Sequence, residues 1–426
     1  MVGDMTMDRR QFVAASAIAA AGVSLLGPSG GRVLGANEAV QVGVIGVGIR
    51  GYNALLSPLL GFEDVRLVAI ADTYTGWLER AVKRAKDKGQ EPVAYGTYHK
   101  LLEDRNVEVV VCATPEHSHA RIMLDALASG RDVYCEKPMV HTWQEAVAVL
   151  RANEAAKRII QVGTQRRSSD IYPVAREIIQ SGKIGRITQV RAWWNRNSAP
   201  ERPQWRYDIP TDASLETCNW PEFLCGAPKR PFSKERYFQW RCYFDYSGGI
   251  GGDLMVHQLD AINMVMGSTF PEAAYGKGHI YRWKELGRET PDTWSAVIEH
   301  PAGASPAAPE GFMVHYSSSF SNVHYDYLEQ YLGTDGTLEM NDKALKVYAE
   351  PKGMRTREVA EITFDSKTNH TADHLRDFID CVKSRKRTNC TEHSGAHAAV
   401  AANMTILSHL SGRRIEWDAA KGCVRK

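Results

Sequence analysis

Three side chains in this sequence stand where a hydroxyl could lose its proton and have its oxygen stabilised: Lys137, Asp253 and His257. Lys137 lies in Glu136-Lys137-Pro138, directly after the apolar run 132–135. Pro138 biases the residue before it toward extended backbone, so the ammonium can project off a strand end. Asp253, His257 and Asp260 follow at spacings of 4 and 3, which on an α-helix places them on one face. A histidine with an ordinary pKa of about 6.5 can accept a hydroxyl proton at neutral pH. A lysine near the reacting oxygen can donate to it and stabilise alkoxide character. Asp253, one turn before His257, can orient the imidazole or bind a neighbouring hydroxyl, and Asp260 is assigned a structural role, paired with a nearby arginine. Each residue also has a plainer reading. A helical histidine is often packing, a strand-end lysine is often a solvated charge, and an aspartate after glycines is a good helix cap.

These residues need a frame, and the N-terminal half supplies one. The run 40–45 is the short apolar pattern of a strand buried on both faces. It leads straight into Gly46-Val47-Gly48-Ile49-Arg50-Gly51, a GxGxxG opening a helical stretch. A second strand pattern, 65–71, ends at Asp72, which follows Gly51 by 21 residues. That is where a dinucleotide fold places the acid that binds the adenosine ribose, the glycines serving a tight turn and close approach of backbone to pyrophosphate at a helix N-terminus. An acid at 72 accepts from a ribose 2′-hydroxyl but repels a 2′-phosphate. Thr73 and Tyr74 follow it rather than an arginine, so NAD is favoured over NADP.

Strand and helix patterns then alternate: strands at 107–113, 132–135 and 159–162, helices at 117–129 and 142–157. Such alternation implies right-handed crossovers and a parallel doubly wound (Rossmann) sheet, whose ligands lie outside the carboxyl ends of the strands. Thr114, Pro115 and His119 fall there, as do Glu136 and Lys137; with Gly46, Gly48, Ile49, Arg50, Gly51 and Asp72 they are the candidate cofactor-binding residues. His117 and His119 lack a third ligand in a metal-binding pattern, and no metal is expected. Eight scattered cysteines show no CxxC, and Cys112 and Cys135, inside strand patterns, read as packing.

After a helix at 171–181 and a strand at 187–194 comes a long irregular stretch, 195–247, rich in Pro, Trp, Tyr and Arg. A helix at 253–266 follows, then strand-like runs at 293–300, 311–319, 329–333, 337–340 and 345–350 with no helices between them. They predict a mainly antiparallel sheet, with a loose loop at 302–310 and two closing helices at 371–386 and 394–411. Trp193, Trp194, Trp205, Trp240 and Tyr243 fall where this half would face a nicotinamide, with Arg166, Arg241 and Asn195 nearby. Two or three of these aromatics are core residues; Arg166, Trp194, Arg241 and Tyr243 are the candidate substrate contacts, suited to a ring bearing hydroxyls.

The glycine loop, Ala113-Thr114-Pro115 with His119, Glu136-Lys137-Pro138, 161–166, 181–185 and 248–260 occur in an order that resembles the Gfo/Idh/MocA oxidoreductases, across most of the chain after residue 38. The resemblance implies a Rossmann domain (39–163) followed by an α/β domain (164–426) with a large open sheet, and a homo-oligomer, dimer or tetramer, associating through that sheet. It also implies NAD(P)-dependent hydride transfer at a secondary hydroxyl of a sugar, inositol or glycoside, with Lys137, Asp253 and His257 lining the site. Two other functions remain open: redox-neutral glycoside cleavage with a retained NAD, and a non-catalytic sugar-binding protein.

The first 38 residues belong to no domain. Arg9-Arg10 precede a 14-residue apolar stretch, 13–26, too short for a bilayer that requires about 20. The pattern is that of a twin-arginine export signal, which suits a protein that folds around a cofactor before transport and predicts an extracytoplasmic location. A net charge of +2 over 426 residues, with no basic stripe, argues against nucleic acid or an anionic membrane as partner.

Overall fold

A computed structural model describes residues 39–351, 360–366 and 370–425. The first sheet holds six parallel strands: β1 (Val40–Ile45), β2 (Val65–Ala71), β3 (Val93–Tyr95), β4 (Val109–Cys112), β5 (Asp132–Glu136) and β6 (Ile160–Gly163), in the order β3-β2-β1-β4-β5-β6. The reversal of order at β1, with β2 on one side and β4 on the other, opens the crevice in which such sheets bind dinucleotides. The buried runs of β1, β4 and β5 are what a sheet covered on both faces requires. The helix Trp143–Ala156 begins where the sequence dictates: the Thr142 side chain accepts from the Glu145 N–H, and the Glu145 carboxylate accepts from that of Thr142, a reciprocal capping box.

The second sheet has ten strands. They are β7 (Ile187–Trp194), β8 (Ala273–His279), β9 (Thr293–His300), β10 (Phe312–Ser319), β11 (Tyr327–Gly333), β12 (Gly336–Met340), β13 (Ala344–Ala349), β14 (Ala360–Asp365), β15 (Ile415–Asp418) and β16 (Cys423–Val424). The order is β14-β13-β12-β11-β7-β10-β9-β8-β15-β16, every described pairing being antiparallel except that of β7 with β10. Alternation of buried and more open residues along β9, β10 and most of β11 puts one face on the core and leaves the other outward.

Strands β3, β8 and β14–β16 were not expected from the sequence. β8 (Ala-Ala-Tyr-Gly-Lys-Gly-His) lacks the β-branched residues that mark a strand. Its glycines have a steric purpose: a Cβ on Gly276 would lie 2.4 Å from the Thr405 carbonyl oxygen. The long helix Glu392–Ser411 therefore packs directly on the strand backbone.

The C-terminal segment also returns to the first sheet. Leu375, Phe378, Ile379 and Val382 of the helix His370–Ser384 share a buried cluster with Val42, Val44, Val109 and Val111. Arg376 and Lys383 hold Asp64 at 2.7 Å, and Arg385 pairs with Asp132. The irregular stretch carries two short helices, Trp220–Leu224 and Lys234–Phe238, and lies against the loop that follows β2: Thr75 N–H donates to Thr217 O (3.0 Å) and Asn219 N–H to Thr73 O (2.8 Å).

Gly276→Ala is expected to destabilise the protein by about 1–3 kcal/mol through overpacking. Gly61→Ala, whose Cβ meets nothing within 4 Å, should be neutral or stabilising, and urea unfolding of the two variants measures the difference.

Candidate active site

The loop between β1 and the first helix is built to bring backbone close to a ligand. Gly46 adopts φ +84°, and a Cβ on Gly51 would stand 2.1 Å from the Gly46 carbonyl oxygen. Ile49 is half exposed beside it. Arg50 donates through Nε to the Glu136 carboxylate at 2.8 Å, while its buried Nη2 has no partner. An open backbone cradle, an uncovered Ile49 and an orphaned guanidinium donor fit a dinucleotide pyrophosphate and nicotinamide.

Asp72 faces this loop. It accepts from Val47 N–H at 2.7 Å and Tyr74 N–H at 2.8 Å. Burial raises its pKa to about 6 against those two hydrogen bonds. Each oxygen keeps a second acceptor position for a ribose hydroxyl. Aromatic rings crowd this end: Trp77 packs edge-on with Tyr74 and Phe238, and Tyr237 shares a 2.5 Å hydrogen bond with Thr73.

Thr114 and Pro115 form the turn after β4, Pro115 standing just before the helix Glu116–Ala128. His119 does not face the crevice. Its ring nitrogens lie 2.7 Å from Pro138 O and 2.9 Å from Thr114 O, so it ties the two ligand-side loops together and acts as a positioning residue. Glu136 likewise holds Arg50 rather than standing free. The ligand atoms of Cys112, His119 and Cys135 lie within 4.8 Å of one another, a cluster that was invisible in the sequence because neighbouring parallel strands bring it together. Both His119 nitrogens are already turned to carbonyl oxygens; burial opposes ionisation of Cys112, but the Cys135 thiol and His119 draw it below its ordinary pKa, while burial pushes Cys135 above it.

At the ends of β5 and the second half's glycine turn, three predicted residues converge. Lys137 Nζ donates to Asp253 Oδ1 and to the Asp253 carbonyl, both at 2.8 Å. Arg241 Nε donates to the same Oδ1 at 2.9 Å. Burial disfavours the ionised Asp253, but Arg241 and Lys137 overcome this and hold its carboxyl well below the usual range. Of the two uses the spacing left open for Asp253, orienting the His257 imidazole is not the one taken: no hydrogen bond joins them. The spacing argument assumed a regular α-helix, whereas Gly251–Met255 is a π-helical turn and the α-helix begins at Val256.

His257 is buried, and its Nδ1 has no hydrogen-bond partner. Burial, then the charges of Lys137 and Arg166, press its pKa well below the ordinary value, so the ring is neutral at pH 7. Its ring meets Trp194 edge-on at 5.7 Å. Asp260 pairs with Arg167 (2.7 Å) deep in the core, as expected.

Of the candidate substrate contacts, Trp194, Arg166 and Arg241 join this site. Arg166 grips Asp342 through Nε and Nη2 (2.7 and 2.8 Å) and lies over Trp194 and Tyr327. Tyr243 does not join it; buried, it packs under Arg236. Trp205 is core, against Phe320, and Trp193 lies on the opposite face of β7. Asn195 is structural, donating to His324 O and accepting from Ser319 N–H.

Sequence reasoning missed Arg196, 4.8 Å over the Trp194 ring, and Glu116. Glu116 is buried and accepts from Ser247 Oγ (2.7 Å) and Gly248 N–H (2.8 Å), fixing the turn that carries Asp253. A carboxylate opening a helix just after a strand end, 131 residues from its partner, leaves no local sequence signal.

Two models of one family cover this architecture in order. Residues 40–164 match the oxidoreductase family's NAD-binding Rossmann fold and residues 226–417 its C-terminal alpha/beta domain. The chain belongs to the Gfo/Idh/MocA oxidoreductase family. Among its members, inositol 2-dehydrogenase of Salmonella paratyphi B is 30% identical over 164 residues, 38% of this chain and about half (48%) of that enzyme. Inositol 2-dehydrogenase of Burkholderia cenocepacia is 24% identical over 381 residues, covering 88% of this chain and 95% of the relative. Two family folds also superpose: levoglucosan dehydrogenase in complex with NADH and levoglucosan (TM-score 0.65, 18% identity, 89% and 99% coverage) and aldose–aldose oxidoreductase from Caulobacter crescentus (TM-score 0.63, 17% identity, 89% and 100% coverage).

Asp253→Asn leaves two buried cations without their shared counter-charge and is expected to destabilise the protein by about 3 kcal/mol. Asp87→Asn, which breaks an exposed pair with Lys83, should change stability by less than about 1 kcal/mol. The depressed carboxyl of Asp253 stabilises the fold above the pH where an unfolded aspartate ionises, about 4, and that stabilisation is lost as pH falls below it. Urea titrations at pH 7 and pH 3 should therefore show the wild-type advantage over Asp253→Asn shrinking in acid.

Proposed function

We propose that this protein is an NAD-dependent dehydrogenase that oxidises a secondary hydroxyl of a sugar or polyol. The observation that carries the reading is the convergence of Lys137, held at 2.8 Å by Asp253, with a neutral, buried His257 at the ligand end of the dinucleotide sheet. The activities named for inositol 2-dehydrogenase and levoglucosan dehydrogenase support the substrate class.

The glycine loop with Ile49, Arg50 and Asp72 would hold the dinucleotide, and Thr114, Pro115 and Lys137 would border its nicotinamide end. When bound, the nicotinamide supplies the hydride acceptor. The rest is the work of this chain. Asp253 and its partners fix the Lys137 ammonium, which donates to the substrate oxygen and stabilises its alkoxide character. His257, kept neutral by burial and by nearby cations, takes the hydroxyl proton. Trp194 closes one side of the site and excludes water.

Redox-neutral glycoside cleavage is a second reading, and one observation favours it. The 212–238 segment lies against the loop after β2, with Tyr74 Oη donating to Asp212 at 2.6 Å and Tyr237 on Thr73, a cover that would slow cofactor exchange. The twin-arginine pattern lies in residues 1–38, outside the described residues. Export through it would place the enzyme where free NAD is scarce and a retained cofactor is an advantage. Association into a dimer or tetramer through the outward face of the ten-stranded sheet completes the proposal.

His257→Asn should lower kcat with NAD+ and a responsive sugar by about 10²–10⁴-fold, and Lys137→Ala by a similar factor. Because His257 titrates below the ordinary histidine value, kcat/KM should stay flat as pH falls to about 6.5 and decline only beneath it. A decline centred above pH 7 would remove His257 as the base. Absorbance and mass analysis of nucleotide released on denaturing the purified protein separates the two readings. Stoichiometric NAD(H), with aryl glycosides cleaved and no net NADH formed, supports cleavage; net NADH formation from a sugar supports the dehydrogenase.

A further inference from the structure

The charges around the site are not balanced. Lys137 and Arg241 share the single carboxylate of Asp253, and the neighbouring Glu116 is occupied by Ser247 Oγ, Gly248 N–H and, at 3.8 Å, His141 Nδ1 rather than bonded to either cation. Arg166 is matched by Asp342 and still has a buried Nη1 with no partner. Arg196, half buried, lies over the same Trp194 ring at 4.8 Å and makes no ion pair among the described residues. The Trp194 indole thus fixes two guanidinium groups at 4.7 and 4.8 Å from its ring centre. The same Trp194 ring meets His257 edge-on at 5.7 Å, so the indole that carries Arg196 and Arg166 borders the proposed base.

Covering an unpaired guanidinium with a neutral sugar removes its water and returns little. Covering it with a carboxylate forms charge-assisted, bidentate hydrogen bonds to a fork the indole has already oriented. Resting on the dehydrogenase reading above, we propose that the sugar oxidised here carries a carboxylate, as a hexuronate does, and that Arg196, with Arg166 behind it, is the group that selects it. The remaining polar groups near Trp194 do not contest this. The Tyr327 hydroxyl is committed to Glu329 at 2.5 Å, and Glu329 also accepts from Tyr331 at 2.8 Å.

The test uses the full-length protein and NAD+, with matched pairs of sugars: glucuronate against glucose and galacturonate against galactose, with glucose 6-phosphate as a phosphate-bearing arm. The expected result is a kcat/KM at least about tenfold higher for each uronate than for its neutral partner. Arg196→Gln should reduce that ratio by about tenfold, mainly through KM, as loss of one charged hydrogen bond implies. Added salt should weaken uronate binding more than hexose binding. Equal or better use of the neutral sugars, an equal loss on both members of a pair in Arg196→Gln, or a preference for glucose 6-phosphate would overturn the proposal. If no sugar reduces NAD+, the dehydrogenase reading fails separately. Quenching of tryptophan fluorescence by glucuronate but not glucose, lost in Arg196→Gln, would then still sustain the acid-binding site, and quenching without that selectivity would end it.

Discussion

The candidate active site is organised around one buried carboxylate. Asp253 accepts from Lys137, on the end of β5 in the first half of the chain, and from Arg241, in the irregular stretch of the second. Neither cation could be held so far from water alone, because isolated buried charges cost several kcal/mol each. The carboxylate also fixes the ammonium by two contacts, Oδ1 and its own backbone oxygen, so the lysine points in one direction before any substrate arrives. Preorganisation of this kind is where an enzyme gains most, since the donor need not reorient as charge develops on the substrate oxygen. The turn that carries Asp253 is itself held by Glu116 of the first half, so the geometry is braced from both sides of the crevice.

The same charges set the state of His257. A histidine in water is half protonated near pH 6.5; here burial, Lys137 and Arg166 all disfavour the imidazolium. The base proposed here is thereby kept neutral, and it makes no hydrogen bond to a carboxylate among the described residues. This arrangement differs from a carboxylate–histidine dyad, which would raise the histidine pKa. A proton on His257 is consequently held weakly and passes on readily.

Most strands and helices were legible because their signals are local: apolar runs for β1 and β4 and strand-like runs without intervening helices for β9–β11. That Lys137, Asp253 and His257 would meet near one crevice was legible because each sits beside a landmark, a proline after a strand or a glycine run before a helix. Their pairings were not. The spacing of Asp253 and His257 allowed a mutual contact, but the glycine run lets the chain enter as a π-turn, and Asp253 bonds across the crevice instead. Tyr243 had the right type and neighbourhood yet turned to Arg236, and His119 had the right motif yet serves as a strut between Thr114 and Pro138. Strand β8 escaped notice because its glycines answer to a helix more than 100 residues later, through the contact of Gly276 with Thr405. What the sequence withheld in each case was a long-range partner.

The distribution of contacts between the two halves bears on how the site comes into being. Besides Lys137 with Asp253, the halves are joined by Glu116 with Ser247, His117 with the Phe223 carbonyl (2.8 Å), Asn403 with His141 and Trp143, and Asp64 with Arg376 and Lys383. The helix His370–Ser384 places its apolar face against β1 and β4. The first sheet therefore lacks part of one wall until the end of the chain has been made. A protein so arranged does not have a complete crevice in its N-terminal half alone, because Asp253 and the helix His370–Ser384 come from the second half. That dependence agrees with the proposed export of an already folded protein, which itself rests on the Arg9-Arg10 pattern and the apolar stretch 13–26.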